Sequence, residues 1–231
     1  TINIVAVALL PDTCHPGQTA LIVGGTLGND SILFSPAGNS GDVTVKLNGA
    51  TLGTYHPTGR LVAYGQAGND DIQVAAGINL SAWLYGDGGN DRLNAGNASP
   101  GGNLLFGGDG NDELLGGSGR DIMIGGQGAD KFTGNANDDI LIAGLTTFDS
   151  RSAAGHEDFW CRVLKKWTDI NVEFLDRVYA LRTGTGANLL ASVMDDNSVD
   201  QIDMLQGSSG NDWFLFKADE DKVVGQTEYA N

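Results

Sequence analysis

A nine-residue pattern that repeats without a break through the middle of the chain limits its fold more than any other feature. It reads GGDGNDELL at Gly107–Leu115, GGSGRDIMI at Gly116–Ile124 and GGQGADKFT at Gly125–Thr133. A fourth copy, GNANDDILI at Gly134–Ile142, has asparagine in place of two glycines. The copies follow G-G-x-G-x-D-x-U-x, in which U is a large apolar residue. A fixed short period predicts a stacked solenoid, because each repeat can bury its apolar residue only against its neighbours.

Looser copies extend the pattern in both directions. GDGGNDRLN at Gly86–Asn94 and GQAGNDDIQ at Gly65–Gln73 lie upstream, and GTLGNDSIL at Gly25–Leu33 is an outlying copy. GSSGNDWFL at Gly207–Leu215 lies far downstream. A flexible glycine-rich linker would not carry a large apolar residue at every ninth position, so we interpret the repeats as folded structure.

Each position of the repeat has its own chemistry. The G-G-x-G-x-D half predicts a turn, since glycine adopts positive φ without steric cost. Backbone carbonyls in such a turn, together with a carboxylate, supply the hard oxygen ligands that Ca²⁺ prefers. The x-U-x half predicts a short strand whose middle side chain points inward, so that an apolar ladder forms from Leu114, Met123, Phe132 and Leu141.

Two nonapeptides make one full coil, so residues 18 apart should stack on one another. Asp112 then lies above Asp130, and Asp121 above Asp139. Carboxylates stacked at about the strand spacing of 5 Å repel each other unless a cation lies between them. We therefore expect folding and calcium binding to be one event.

These residues resemble the haemolysin-type calcium-binding (RTX) repeats of secreted bacterial toxins, proteases, lipases and surface proteins. The resemblance is full over Gly86–Ile142 and looser back to Gly65 and Gly25. It implies a right-handed parallel β-roll that binds several Ca²⁺ ions. It also implies a ligand scheme: one turn gives the carbonyls of its second and fourth positions and its Asp, and the turn stacked beside it gives the carbonyls of its first and third positions and its Asp.

Carried onto this chain, the scheme implies four sets of metal ligands. The first set is Gly108, Gly110, Asp112, Gly125, Gln127 and Asp130. The second is Gly117, Gly119, Asp121, Gly134, Ala136 and Asp139. Two further sets are Gln66, Gly68, Asp70, Gly86, Gly88 and Asp91, and Asp87, Gly89, Asp91, Gly107, Asp109 and Asp112. The pattern leaves open whether Asp30, Asp203 and Asp212 bind ions, since no stacked partner for Asp212 is evident.

The flanking segments predict caps on the roll, because a solenoid must cover its ends. We expect a mostly β chain with an irregular β-rich N-terminal cap at 1–64, the calcium-binding roll at 65–144 and a C-terminal cap with one or two α-helices at 145–231. The first cap should contain a hairpin meander over Val43–Leu47, Thr54–His56 and Leu61–Tyr64. Apolar spacing predicts helices at Asp158–Asp169 and Val172–Leu181, which we expect to pack against the end of the roll.

Charge and cysteine content narrow the class of protein. The net charge of −16, from 29 acidic and 13 basic residues, argues against nucleic acid as a partner. There is no apolar run long enough for a membrane span.

Cys14 and Cys161 lie far apart, so we favour two buried free thiols over a single bridge. Thr1 is no initiator start, so we expect an excised part of a longer polypeptide whose surface partner is unknown.

Two functional hypotheses follow. In the first, the chain is a secreted or extracellular bacterial calcium-binding module that folds when it meets calcium and has no catalytic role. In the second, it is a calcium-dependent, promiscuous hydrolase of esters or phosphoesters, in which a bound ion activates water. His156 and His56 are the candidate catalytic bases for that reaction, although His156 is expected in a solvated loop.

Overall fold

The computed structural model describes residues 6–38, 41–96, 101–149, 155–184, 188–189, 193–194, 202–216, 221–224 and 229–230. Twenty strands and two helices lie within these residues. The strands are β1 Ala6–Pro11, β2 Thr19–Gly24, β3 Ser31–Ala37, β4 Asp42–Leu47, β5 Ala50–Tyr55, β6 Arg60–Ala67, β7 Asp71–Val74, β8 Ser81–Gly88, β9 Arg92–Asn94, β10 Leu104–Asp109, β11 Glu113–Gly117, β12 Ile122–Gln127, β13 Lys131–Ala136, β14 Ile140–Ile142, β15 Leu145–Thr146, β16 Val193–Met194, β17 Met204–Ser209, β18 Trp213–Leu215, β19 Lys222–Val223 and β20 Tyr229–Ala230. The helices are α1 His156–Trp167 and α2 Phe174–Thr183.

Two nine-stranded sheets carry the fold. The first has the order β1-β2-β6-β8-β10-β12-β14-β18-β20, and the second has β19-β17-β13-β11-β9-β7-β3-β4-β5. From β6 to β14 the chain passes alternately between the two sheets, and all pairs of neighbouring coils are parallel. The predicted parallel β-roll is therefore confirmed.

The register shows how the repeat length sets the stack. Leu104 pairs with Ile122, a separation of 18 residues, as two nonapeptides per coil require. Val62 pairs with Trp83 at a separation of 21, and the loop 75–80 between β7 and β8 provides the extra residues. The inward residues Leu114, Met123, Phe132 and Leu141 are at most 1% exposed and belong to one core, as predicted.

The first part of the chain contributes both a hairpin and a coil of the roll. β4 and β5 form the predicted antiparallel hairpin around Asn48 and Gly49. Leu61–Tyr64, however, pairs in parallel with β2 and β8 instead of continuing that meander. The outlying repeat at Gly25–Leu33 joins β2 to β3, and both sheets run without a break across residue 64.

The helical segment is an insertion between two coils. The chain leaves the stack after β14 and returns at β17, where Met204 pairs with Lys131 in parallel. β18 then pairs with β14, so the final residues continue the roll. The sequence also predicts acidic turns at Asp195, Asp196 and Asp200 that dock back on the stack, and these residues lie outside the described part of the chain.

The helices lie across the outward face of the first sheet and not, as we predicted, against the end of the roll. In β8, β10, β12 and β14 the residues on both sides of the inward one are large and apolar, and they form a second core with α1 and α2. The matching positions in the second sheet are mostly polar, for example Arg92 and Asn94. An apolar sheet face needs a cover, and the helices provide it.

Both predicted helices are found within two residues of their expected ends. In α1 the predicted face of Phe159, Val163, Leu164 and Trp167 is buried. In α2 the prediction was wrong at Leu175, which is 56% exposed, whereas Arg177 is buried. Neither helix is long and apolar enough to cross a membrane, in the part of the chain that the structure describes.

The expectation of two free thiols is wrong. Cys14 and Cys161 form a disulfide that joins the loop after β1 to α1. The sequence does not indicate this bond, because the two cysteines are 147 residues apart and come together only where α1 packs on the first sheet.

Candidate metal centre

Two rows of aspartates run along the two edges of the roll, where the chain turns from one sheet to the other. In each row, the backbone N–H of one aspartate donates to Oδ1 of the aspartate in the following coil. Asp112 donates to Asp130 at 2.8 Å, and Asp121 to Asp139 at 2.8 Å, which confirms the predicted stacking. The first row contains Asp30, Asp70, Asp91, Asp112, Asp130, Asp203 and Asp221, and the second contains Asp121, Asp139 and Asp212.

The insertion does not interrupt either row. The backbone N–H of Asp130 donates to Asp203 at 2.6 Å, and that of Asp139 donates to Asp212 at 2.9 Å. Each of these pairs is 73 residues apart. Asp212 therefore does have a stacked partner, which the sequence did not reveal because the length of the insertion hid the register.

The second carboxylate oxygen of these aspartates points to a cation site. Oδ2 is buried and has no hydrogen-bond partner in Asp70, Asp91, Asp112, Asp121 and Asp139. A buried carboxylate oxygen without a partner is costly, so each such atom requires an explanation. A bound cation provides one.

A backbone carbonyl from the next coil faces each of these oxygens. A Cβ built on Gly65 would collide with Asp70 Oδ2 and lie 2.7 Å from Gly86 O. A Cβ built on Gly107 would likewise collide with Asp112 Oδ2 and lie 2.5 Å from Gly125 O. Two oxygen acceptors therefore converge where the first glycine of the turn leaves space. Such a set of oxygen acceptors suits a cation such as Ca²⁺.

The turns need glycine, or a residue that tolerates positive φ, at the second position. Gly108 has φ 116°, and Gln66, Asp87 and Asn135 at the equivalent positions have φ of 81°, 71° and 78°. Asparagine and aspartate adopt this conformation more readily than most residues. The fourth repeat thus keeps the turn despite its substituted glycines.

Burial shifts the proton affinity of the aspartates. It raises the pKa of Asp112 and Asp121 to about 7, although hydrogen bonds from backbone N–H groups oppose the change. Burial also raises the pKa of Asp70 to about 7 and that of Asp91 to about 6. The pKa of Asp139 is raised well above its usual value by burial and by the charge of Asp121. Without a cation, these carboxylates resist ionisation in the folded chain.

The structure brings the residues of each predicted ligand set into two adjacent turns. Gly108 pairs with Gly126 and Asp109 with Gln127, which aligns the turns of the first set. Gly117 pairs with Asn135 in the second set. Gln66 pairs with Asp87, and Gly108 with Asp87, in the other two. Which of these carbonyls bind an ion remains a prediction.

Side chains alone do not make a metal site here. Among the described residues, no group of three or more His, Cys, Asp or Glu side chains converges. A site on the aspartate rows must therefore draw on backbone carbonyls, as the turn chemistry predicts.

The candidate histidine bases have structural contacts elsewhere. His156 is 3% exposed and is the first residue of α1, so the prediction of a solvated loop is wrong. Its ring nitrogens contact the Tyr85 hydroxyl at 3.0 Å and the Phe148 carbonyl. The Nδ1 atom of His56 lies 2.7 Å from Asp42 Oδ1, beside the hairpin of β4 and β5.

A second ladder, of asparagines, accompanies the first aspartate row. Asn29, Asn69, Asn90 and Asn111 each accept a hydrogen bond at 2.8–2.9 Å from the backbone of the fifth turn position in the next coil. We did not predict this ladder, because the repeat pattern leaves that position unspecified. The recurrence of asparagine immediately before aspartate was the signal that could have revealed it.

The comparisons with known proteins agree with this geometry. The family described as RTX calcium-binding nonapeptide repeat matches the chain in four copies, at residues 83–99, 97–132, 115–145 and 199–222. The fourth copy covers the coil after the insertion. Comparisons with curated proteins and with solved structures return no significant match.

Proposed function

Because the chain carries RTX calcium-binding nonapeptide repeats, we propose that it is a secreted module whose roll folds when calcium binds along both aspartate rows. The observation that supports this most is the set of buried Oδ2 atoms without a hydrogen-bond partner, each facing a backbone carbonyl of the next coil. Ca²⁺ neutralises the carboxylates and supplies the missing partner for both kinds of oxygen.

We propose the ligand sets of the four pairs of turns as predicted from the sequence. To these we add the pairs that the insertion separates, Asp130 with Asp203 and Asp139 with Asp212. In this arrangement each interior aspartate belongs to two neighbouring sites, so the ions along a row depend on one another.

The disulfide supports an extracellular location, and the usual calcium affinity of extracellular modules fits it. A disulfide is stable in an oxidising compartment such as the bacterial periplasm or the cell exterior. Extracellular calcium-binding modules work at dissociation constants of roughly 10⁻⁴–10⁻³ M, far above cytosolic calcium concentrations. The roll would then stay unfolded inside a bacterial cell and fold outside it.

Among the residues that the structure describes, we find no contact that favours the hydrolase alternative. Both candidate histidines make their described contacts with residues outside the aspartate rows. We therefore carry only the calcium module forward.

Calorimetric titration of the metal-free chain with Ca²⁺ tests the proposal, with Mg²⁺ as the matched control ion. We expect several Ca²⁺ ions per chain, a gain of strand signal in circular dichroism during the titration, and no such gain with Mg²⁺. Mg²⁺ demands a near-ideal octahedron and releases water reluctantly. A chain that binds no Ca²⁺, or one that has its full strand signal before Ca²⁺ is added, would refute the proposal.

A further inference from the structure

The N-terminal end of each aspartate row differs from the rest of the row. We propose that side-chain donors take the place of the cation there, so that each row starts at a calcium-independent position and strands β2 to β5 fold without calcium. Asn103 is the donor in the second row, and Thr26, Asn48 and Gln66 are the donors in the first. The inference rests on the proposed calcium binding and specifies where along the chain it begins.

In the second row, Asn103 occupies the place of an aspartate. It is fully buried, and its backbone N–H donates to Asp121 Oδ1 at 2.7 Å, as an aspartate in the row would do. Its amide oxygen accepts the backbone N–H of Ala82 at 2.9 Å, which fixes the orientation of the amide. The amide nitrogen therefore points toward the next coil.

That nitrogen donates to a carboxylate oxygen of the row and to a carbonyl of the turn. It lies 2.9 Å from Asp121 Oδ1 and 3.3 Å from Gly116 O. One coil further on, Asp121 Oδ2 has no partner and faces Gly134 O, the carbonyl equivalent to that of Gly116. A neutral N–H donor thus satisfies the same type of carbonyl that faces a carboxylate in the later coils.

In the first row, both carboxylate oxygens of Asp30 have side-chain donors, and the Thr26 backbone N–H also donates to Oδ2. Its Oδ1 accepts a hydrogen bond from the Asn48 amide at 2.7 Å, and its Oδ2 accepts one from the Thr26 hydroxyl at 2.9 Å. The Gln66 amide donates to Gly25 O, the first carbonyl of that turn. Asp70, the next aspartate, has no such donor on Oδ2.

The consequence is a calcium-independent start of the roll. Strands β2 to β5 bury residues such as Leu21, Ile32 and Val45 at the start of the inner core, and the hairpin of β4 and β5 closes one edge. They can therefore form first and present β6 and β7 with an ordered neighbour. The calcium-dependent coils then add to an existing edge, which avoids the cost of nucleating a parallel sheet.

Asn103→Asp tests the inference, since it exchanges the donor for a carboxylate of the same size. The measurement is the number of Ca²⁺ ions bound per chain by calorimetry. We expect one additional ion, between the new carboxylate and Asp121. The matched control is Asn111→Asp, which is exposed and keeps the oxygen that accepts from Ala129, and which should leave the number unchanged. An unchanged number and an unchanged calcium midpoint in Asn103→Asp would overturn the inference.

A second measurement uses the unaltered chain, so that a variant that fails to fold does not decide the question. Amide exchange in excess chelator should be slower by about 100-fold or more in β2 to β5 than in β10 to β13. Equal exchange in both regions, in a chain that binds calcium, would overturn this inference alone. A chain that binds no calcium would instead refute the proposed function.

Discussion

Asp138 and Asp139 are neighbours in one turn, yet the structure shifts the pKa of their carboxyl groups in opposite directions. Burial and the charge of Asp121 raise the pKa of Asp139, which faces the second aspartate row. Burial also acts to raise the pKa of Asp138, but the Asn211 N–H and the guanidinium groups of Arg177 and Arg120 outweigh it and lower that pKa. In our proposal, the edge of the roll relies on an external cation, whereas the helical insertion brings its own in Arg177.

The same contrast distinguishes the edges of the roll from the helix-covered face of the first sheet. The edges concentrate buried carboxylates, whereas the outward face of the first sheet is apolar and is covered by α1 and α2. The disulfide and the ion pair of Arg177 with Asp138 attach the insertion. In our proposal, the same coils are stabilised by calcium at their edges and by packing on one face.

The largest effect should come from Arg177→Ala. Arg177 is 2% exposed, donates to Trp167 O at 2.8 Å and pairs with Asp138. Removing one partner of a buried ion pair costs about 3–5 kcal/mol. Denaturant unfolding in saturating calcium measures the loss, and Arg182→Ala, an exposed arginine of the same helix, is the control. A loss below about 1 kcal/mol would mean that the insertion is held without this contact.

Loss of the disulfide should have the next largest effect. The bond closes a loop between residues 147 apart, and removal of such a bond typically costs about 2–4 kcal/mol. In the double variant Cys14→Ser, Cys161→Ser, thermal unfolding should show this loss while calorimetry finds an unchanged number of calcium ions. A reduced number of ions would show that the two regions are not independent.

Asp112→Asn should weaken the edge and leave the insertion intact. The change keeps the size of the side chain and removes a charge that we assign to two adjacent ion sites. Loss of supporting groups at metal sites weakens binding by 10–100-fold, and we expect about that loss at both sites. Asp109→Asn is the control, because that side chain is exposed and the carbonyl is retained. Equal affinities in the two variants would contradict the assignment of Asp112.

The stability of the calcium-free roll should also depend on pH. Because the pKa of Asp70, Asp91, Asp112 and Asp121 rises from 3.8 to about 6–7 on folding, the calcium-free roll binds protons more tightly than the unfolded chain. Their contribution to stability is present below pH 3.8 and is lost as the pH rises through about 6–7.

Circular dichroism in chelator should thus show more strand at about pH 5 than at about pH 8. Calcium affinity should fall over the same change, since protons compete for the carboxylates. Strand signal in chelator that decreases from about pH 8 to about pH 5 would contradict the burial of these groups.

The sequence predicted the parts of the molecule that depend on local chemistry. Glycine at the turns, aspartate at the sixth position and an inward apolar residue follow from the conformation of one repeat. The stacked aspartates of consecutive repeats and the inner apolar ladder could therefore be placed by residue. The long-range parts could not be derived that way. The pairing of Cys14 with Cys161 and of Asp139 with Asp212 depends on where a long insertion returns to the stack.

One long-range feature did leave a signal. Alternate repeats carry apolar residues on both sides of the inward position, as Ile122 and Ile124 do around Met123, whereas Lys131 and Thr133 flank Phe132. That alternation predicts one apolar sheet face and one polar sheet face. Because an apolar sheet face needs a cover, this alternation indicates that the helices pack on the first sheet.

The most direct test of the account is amide exchange at the backbone N–H groups of Asp91, Asp112 and Asp121, with calcium and with chelator at neutral pH. These N–H groups donate to the carboxylates of the next coil, so they report on the rows themselves. We predict strong protection in calcium and its loss in chelator. Equal protection in both conditions would contradict the claim that calcium holds the edges of the roll together.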